Sequence, residues 1–86
     1  MTKAIKFYAD WCGPCKSYNS EWEKVVTELK DENIEFININ VDKDETGLAA
    51  KYKVRSIPCT VILQDSKVKQ QTGLLTASQL KTLILN

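Results

Sequence analysis

Trp11-Cys12-Gly13-Pro14-Cys15 decides the reading of this 86-residue chain. Its two cysteines follow an apolar run from Ala4 to Ala9 and precede a helical pattern. The dithiol is therefore expected at the seam between a strand and the first turn of a helix. The first N–H groups of a helix have no partner within it, and their dipole favours negative charge. A thiolate at Cys12 is stabilised in that setting, which makes it a better nucleophile than a free cysteine at neutral pH. Cys15 is close enough to close a disulfide with it.

Three uses of such a pair compete. A structural disulfide over so short a loop adds little stability, because the entropic gain grows with loop length. A zinc or iron–sulfur site usually needs four Cys or His ligands. Three cysteines and no histidine cannot supply them from one chain. A redox dithiol is the use that the motif and its strand–helix setting favour.

Working outward, Lys3 to Ala9 reads as the first strand and Pro14 to Lys30 as a long helix. Tyr18, Trp22, Val25, Val26 and Leu29 fall at helical spacing and form one apolar stripe, which makes Trp22 a core residue. Asn33 supports a turn into a second strand, Ile34 to Val41. Asp44 is the expected N-cap of a short helix reaching Tyr52, with Leu48 and Ala49 inward and Gly47 as a weak point. Pro58 precedes a third strand, Thr60 to Leu63. Asp65-Ser66 turns into a fourth, Lys67 to Thr72, polar enough to be a solvated sheet edge. Gly73 ends it. Thr76 and Gln79 form a capping box ahead of Leu80, Leu83 and Ile84. The order is β-α-β-α-β-β-α, a single α/β domain over residues 1–86. The opening strand–helix–strand predicts a parallel pair and the late hairpin an antiparallel one.

Hydrophobic residues make up 43% and charged residues 27%, an ordinary balance for a globular domain. A chain this size buries roughly 60–65% of its unfolded surface, so its core is modest. Net charge is +1 with both signs well mixed, which gives no footprint for nucleic acid or a membrane surface. No long apolar span and no signal-peptide core follow Met1. Together with an odd cysteine count, this predicts a cytoplasmic protein.

Four segments resemble the thioredoxin family: Phe7-Tyr8-Ala9-Asp10-Trp11-Cys12-Gly13-Pro14-Cys15-Lys16, Asn40-Val41-Asp42, Tyr52-Lys53-Val54-Arg55-Ser56-Ile57-Pro58 and Gly73-Leu74-Leu75. The first and third lie far apart and meet only in that fold. The resemblance implies a three-layer α/β/α architecture with a four-stranded mixed sheet in the order 2-1-3-4. It implies a thiol-disulfide oxidoreductase that reduces protein disulfides, with Cys12 as attacking and Cys15 as resolving thiol, the latter less exposed. It makes Pro58 a cis proline facing the dithiol and Ile57 a backbone partner for substrate. Trp11, Gly13, Pro14, Gly73 and Leu74 complete the expected substrate surface. Plainer roles for some of these are a buried turn at Ile57, a helix lead-in at Gly73 and simple packing for Trp11. No cofactor or metal beyond the redox disulfide is expected. The implied partners are disulfide-containing proteins and a thioredoxin-reductase-like flavoprotein as electron donor, with the chain a monomer. A non-catalytic binding subunit and a disulfide donor or isomerase are the alternatives.

The sequence also departs from the family. It opens directly on the strand that leads to the dithiol, without the usual preceding strand and helix, a reduced plan shared with small thioredoxins and glutaredoxins. Lys6 stands six residues before Cys12, where a buried acid is usual. Asn38 takes the place of a lysine often paired with that acid, and Ser20 that of a helix-kinking proline. Cys59 replaces a common threonine. Lys6 and Cys59 are candidate modulators. The plain expectation for Lys6 is an ammonium that snorkels to water; the functional one is a charge acting on Cys15. For Cys59 the choice is between a small semi-buried packing residue and a regulatory thiol near the dithiol.

Overall fold

A computed structural model describes residues 1–86. Strand β1 (Thr2–Tyr8) runs through the middle of the molecule, with Ala4, Ile5, Lys6 and Phe7 all buried. Residues hidden on both faces mark a central strand. β2 (Ile34–Asn40) pairs parallel to β1, β3 (Cys59–Gln64) antiparallel to it, and β4 (Lys67–Thr72) antiparallel to β3. The sheet order is β2-β1-β3-β4, as expected. β4 is almost wholly exposed, a solvated edge.

Helix α1 (Gly13–Glu28) is the crossover that the parallel pair requires. Pro14 suits its first turn, where a missing N–H costs nothing. The helix runs unbroken through Ser20, and its stripe lands as expected, with Trp22 fully buried. Helix α3 (Ala77–Leu85) opens on the Thr76–Gln79 capping box. Glu21 of α1 adds a second cap, accepting from Ala77 N at 2.9 Å, and that bond holds its carboxyl below the usual range.

The two faces of the sheet carry separate cores. Against α1 and α3 lie Ala4, Tyr18, Trp22, Val25, Leu29, Ile62, Leu75, Leu80 and Ile84. Trp22 meets Tyr18 and Phe36 edge-on, with ring centroids 6.0 and 5.6 Å away. On the other face Ile5, Phe7, Ile39, Cys59 and Val61 form a second cluster, covered by Leu48 and Ala49 of α2 (Leu48–Lys51) among others. Helices on both faces make the three-layer α/β/α arrangement.

Most element ends shift by one or two residues, and the start of α2 moves furthest. α2 is capped not by Asp44 but by Gly47, whose φ of 76° is left-handed. A 3₁₀ turn, Val41–Lys43, precedes it, with Asp44 at its end. Asp44 still serves the helix from outside, accepting from Ala49 N at 3.0 Å and from Thr46 N at 2.8 Å. The chain needs a left-handed residue to turn from one short helix into the next, and glycine takes that conformation at least cost.

Candidate active site

Cys12 is the N-cap of α1, with extended backbone at φ −86° and ψ 109°. N-cap side chains usually present an oxygen to the second or third helical N–H. Here a sulfur does so: Cys15 N donates to Cys12 Sγ at 3.2 Å. Pro14 has no N–H, so this donor is undiluted. The backbone of Cys12 is fixed on both sides, its N–H donating to Ala9 O and its carbonyl accepting from Lys16 N. Cys12 and Cys15 are joined as a disulfide, with Cα atoms 5.2 Å apart. In this oxidised state the two residues are 4% and 2% exposed, so exposure does not separate attacking from resolving thiol. Hydrogen bonding does, because only the Cys12 sulfur receives a backbone N–H.

The opposite wall comes from the loop before β3. The Ile57–Pro58 peptide is cis, and Pro58 is buried. Cys12 Sγ lies 3.8 Å from the Ile57 carbonyl oxygen. Ile57 packs on the cluster formed by Ala9, Cys12 and Cys15. Neither backbone group of Ile57 joins the turn and loop hydrogen bonds. Gly73, at φ 104°, donates its N–H to the Pro58 carbonyl at 2.8 Å and ties this wall to the end of β4. Leu74, next along, is 52% exposed and Trp11 is 71% exposed. The Trp11 indole is held by Asp42, with Nε1 donating to Oδ2 at 2.8 Å. A Cβ at Gly13 would meet nothing within 4 Å, so the surface beside the dithiol is open.

Lys6 does not snorkel; it is 4% exposed. Its ammonium donates to Asn19 Oδ1 at 2.5 Å and lies over the rings of Tyr8 and Trp22. Burial lowers its pKa from the usual lysine value, against a smaller raising effect of the Glu23 carboxylate. With Tyr8, Asn19, Glu23 and Asn38 it lines a cleft of about 410 Å³. Beside it Tyr18 and Thr60 share a buried hydroxyl pair at 2.7 Å. Burial pushes the Tyr18 phenol up to about 12, with Thr60 opposing.

Of the two expectations for Cys59, the structure places it as a packing residue, more deeply buried than expected. Alternation along β3 sends it to the α2 face, with Ile5, Phe7, Ile39 and Val61, and not into the dithiol cluster. It is fully buried, with Gln70 Nε2 at 3.7 Å from its sulfur. Sequence reasoning gave no role to Asp42 or Asn19. Asp42 lay within a quoted segment, and Asn19 stands in a helix interior, where asparagine is a poor former and invites a reason.

The thioredoxin family model matches residues 2–86. A thioredoxin of Mycoplasmoides gallisepticum is 35% identical over 81 residues, covering 93% of this chain and 78% of that protein. A thioredoxin of Mycoplasma genitalium is 37% identical over 67 residues, covering 78% of this chain and 63% of that one. Among solved structures, Fasciola hepatica thioredoxin superposes with a TM-score of 0.83 at 30% identity, covering 98% of this chain and 78% of its own. With a cysteine pair at the head of α1 and this likeness across nearly its whole length, the chain belongs to the thioredoxin family and is a thiol-disulfide oxidoreductase.

Proposed function

We propose that the chain works as a protein-disulfide reductase, with Cys12 attacking and Cys15 resolving. The observation that carries this reading is the N–H of Cys15 donating to Cys12 Sγ at the head of α1. A thiolate on Cys12 keeps that donor, and the helix dipole favours it further. Trp11 and Leu74, exposed on either side, offer apolar contact to an incoming chain. Ile57 has no backbone–backbone hydrogen bond of its own, which leaves its N–H, and its carbonyl beside Cys12 Sγ, for an extended substrate segment to pair with as an added strand would.

The cycle follows from these positions. Cys12 thiolate attacks one sulfur of a target disulfide. The target S–S bond breaks, its second sulfur leaves as a thiolate, and a mixed disulfide forms. Cys15 then loses its proton and attacks Cys12 Sγ. The mixed disulfide breaks, the target leaves as a dithiol, and Cys12 and Cys15 are oxidised to the bond seen here. Two electrons pass to the target. A separate donor must return them, since the chain's three glycines form no phosphate-binding loop for a nicotinamide or flavin. A flavoprotein of the thioredoxin-reductase type fits that need. The setting we propose is a cytoplasmic monomer, in keeping with the mixed surface charge. No helix is long and apolar enough to cross a membrane.

The test is reduction of a disulfide-bearing protein such as insulin with a dithiol donor. Cys12→Ser should lose about three orders of magnitude or more in turnover, as removal of a nucleophile does. Cys15→Ser should attack normally and accumulate as a mixed disulfide through Cys12. Near-normal turnover of Cys12→Ser would end this assignment.

A further inference from the structure

A groove of about 600 Å³ separates β4 from α3. Lys69 and Gln71 of β4 line one side and Ser78 and Thr82 of α3 the other, with buried Leu75 and half-buried Leu83 as its apolar part. Two bonds fix its width. Lys69 Nζ donates to the Leu83 carbonyl at 3.0 Å, and Gln64 of β3 donates to the Ile84 carbonyl. Both use carbonyls that the end of a helix leaves unpaired. Lys69 keeps two further N–H donors and is the one charged side chain on the lining.

The β4 side of this groove is an open sheet edge. β4 pairs with β3 alone, in unbroken register from Lys67 to Thr72. The Gly73 N–H points at Pro58, so antiparallel alternation turns the backbone groups of Thr72, Gln70 and Val68 outward. The only side chain to reach them is that of Gln71, whose Nε2 lies 3.5 Å from the Thr72 carbonyl. An unpaired row of N–H and C=O groups is a template for an added strand. The groove is also continuous with the dithiol wall. Pro58 bonds to Gly73; exposed Leu74 follows beside the dithiol, and Leu75 then enters the groove.

We propose that this groove is a second docking site for substrate, taking an extended segment that flanks the reactive cysteine of a disulfide-bearing protein. The segment adds as a strand to β4. On its groove face it sets apolar side chains against Leu75 and Leu83 and a carboxylate beside Lys69. Main-chain pairing supplies affinity, and the alternate side chains supply specificity. An acidic partner is chosen because the lining carries a cation and no carboxylate side chain. Gly73 to Lys69 spans roughly 13 Å of strand, so a flank of about eight residues reaches the groove from the dithiol. The groove selects proteins by what surrounds their disulfide and leaves exchange to Cys12 and Cys15.

The inference rests on the reductase reading above, and peptide probes separate the two. The bare probe is a short cystine peptide. The tailed probe adds Val-Thr-Glu-Thr-Val-Thr-Glu-Thr, made on either side of the cystine, with valine and glutamate sharing one face. One of the two tailed forms should show a KM about tenfold below that of the bare peptide at equal kcat. Lysine in place of glutamate, or N-methylation of the whole tail, should remove most of that gain. Ser78→Trp fills the groove from the exposed face of α3 and should bring the tailed KM up to the bare one. Its equilibrium with glutathione, which reports the cysteines alone, should match wild type. Hydrogen exchange needs no change in the groove. In the mixed disulfide of Cys15→Ser with the tailed peptide, the Gln70 and Thr72 amides should exchange about tenfold more slowly than with the bare peptide. Equal KM for bare and tailed peptides, equal gains from glutamate, lysine and N-methylated tails, a full gain in Ser78→Trp, or unprotected Gln70 and Thr72 amides each overturns the inference alone. Wild type that reduces neither peptide ends the reductase reading and this inference with it.

Discussion

The two faces of β1 and β3 differ in kind, although they are built from alternate residues of the same strands. Ile5, Phe7, Cys59 and Val61 point toward α2 into a cluster whose buried members are all apolar, with Gln70 and Tyr52 only at its edge. Lys6 and Thr60, one step away in each strand and paired in register, are buried on the α1 face with Tyr18 and Asn19 as partners. A dry face needs only shape and area. A face carrying buried polar groups needs every one of them satisfied, and here none is left without a partner. The contrast teaches a division of labour. Substitutions on the α2 face should act on stability alone, and those on the α1 face near the dithiol should reach the chemistry as well.

The strongest test of that division is Phe7→Ala. It removes a fully buried ring from the dry face. The expected loss is about 3–5 kcal/mol in urea unfolding, with the glutathione equilibrium of the protein that remains folded unchanged. A changed equilibrium would show that the α2 face also tunes the dithiol.

Thr60→Val should cost about 1–3 kcal/mol, because it keeps the shape and leaves the buried Tyr18 hydroxyl unpaired. Adding Tyr18→Phe should recover most of it, since removing both partners can be nearly neutral. Urea midpoints of the two single variants and the double decide it. A double variant as unstable as the sum of the singles would mean that the hydroxyl pair has no special standing.

Cys59→Ser sharpens the comparison at lower cost. A hydroxyl on the dry face should lose about 1–2 kcal/mol while leaving insulin reduction as in wild type. Its sulfur is fully buried, so mild peroxide should not alter turnover in wild type through this residue. Loss of most activity in untreated Cys59→Ser would instead make it part of the site.

The smallest expected effect is on the pH profile. Burial depresses the folded-state pKa of Lys6, so the folded protein resists protonation there more than the unfolded chain does. Lys6 thus costs stability at neutral pH, and the cost fades as pH rises from its folded value toward the unfolded 10.5. Tyr18 acts in the opposite sense: its stability contribution is full below pH 10.0 and is lost as pH rises toward about 12. Wild type should therefore show a rise in unfolding free energy on the alkaline side before the fall that Tyr18 brings. Lys6→Met should keep the fall and lose the rise, as read from urea unfolding between neutral pH and pH 10. Equal slopes in the two proteins would place the Lys6 ammonium in water.

Much of this was legible in the residues. The helical stripe from Tyr18 to Leu29, the capping box at Thr76 and the polar edge at Lys67–Thr72 are local patterns, and the structure keeps them. Alternation placed Lys6 on the face of Ala4 and opposite Phe7, as observed. It did not tell what would cover that face, so the ammonium's burial was missed. Nor did adjacency to Pro58 place Cys59, because neighbours along a strand point to opposite sides. The start of α2 was misread because Asp44 caps it from outside through Ala49, a contact across a glycine turn.

The sequence by itself determined the dithiol and its setting. A strand that ends at Tyr8 and a helix that starts at Gly13 leave Cys12 at the N-cap, and those are short-range preferences of the chain. Only the tertiary structure decided what surrounds the pair. The Ile57 carbonyl reaches Cys12 because β3 closes against β1, and Asp42 reaches Trp11 because β2 lies on the other side. Asn19 meets Lys6 because α1 packs across the sheet. Each of these contacts joins residues that no local pattern relates, and they form only when burial of the two cores brings the strands and helices into one register.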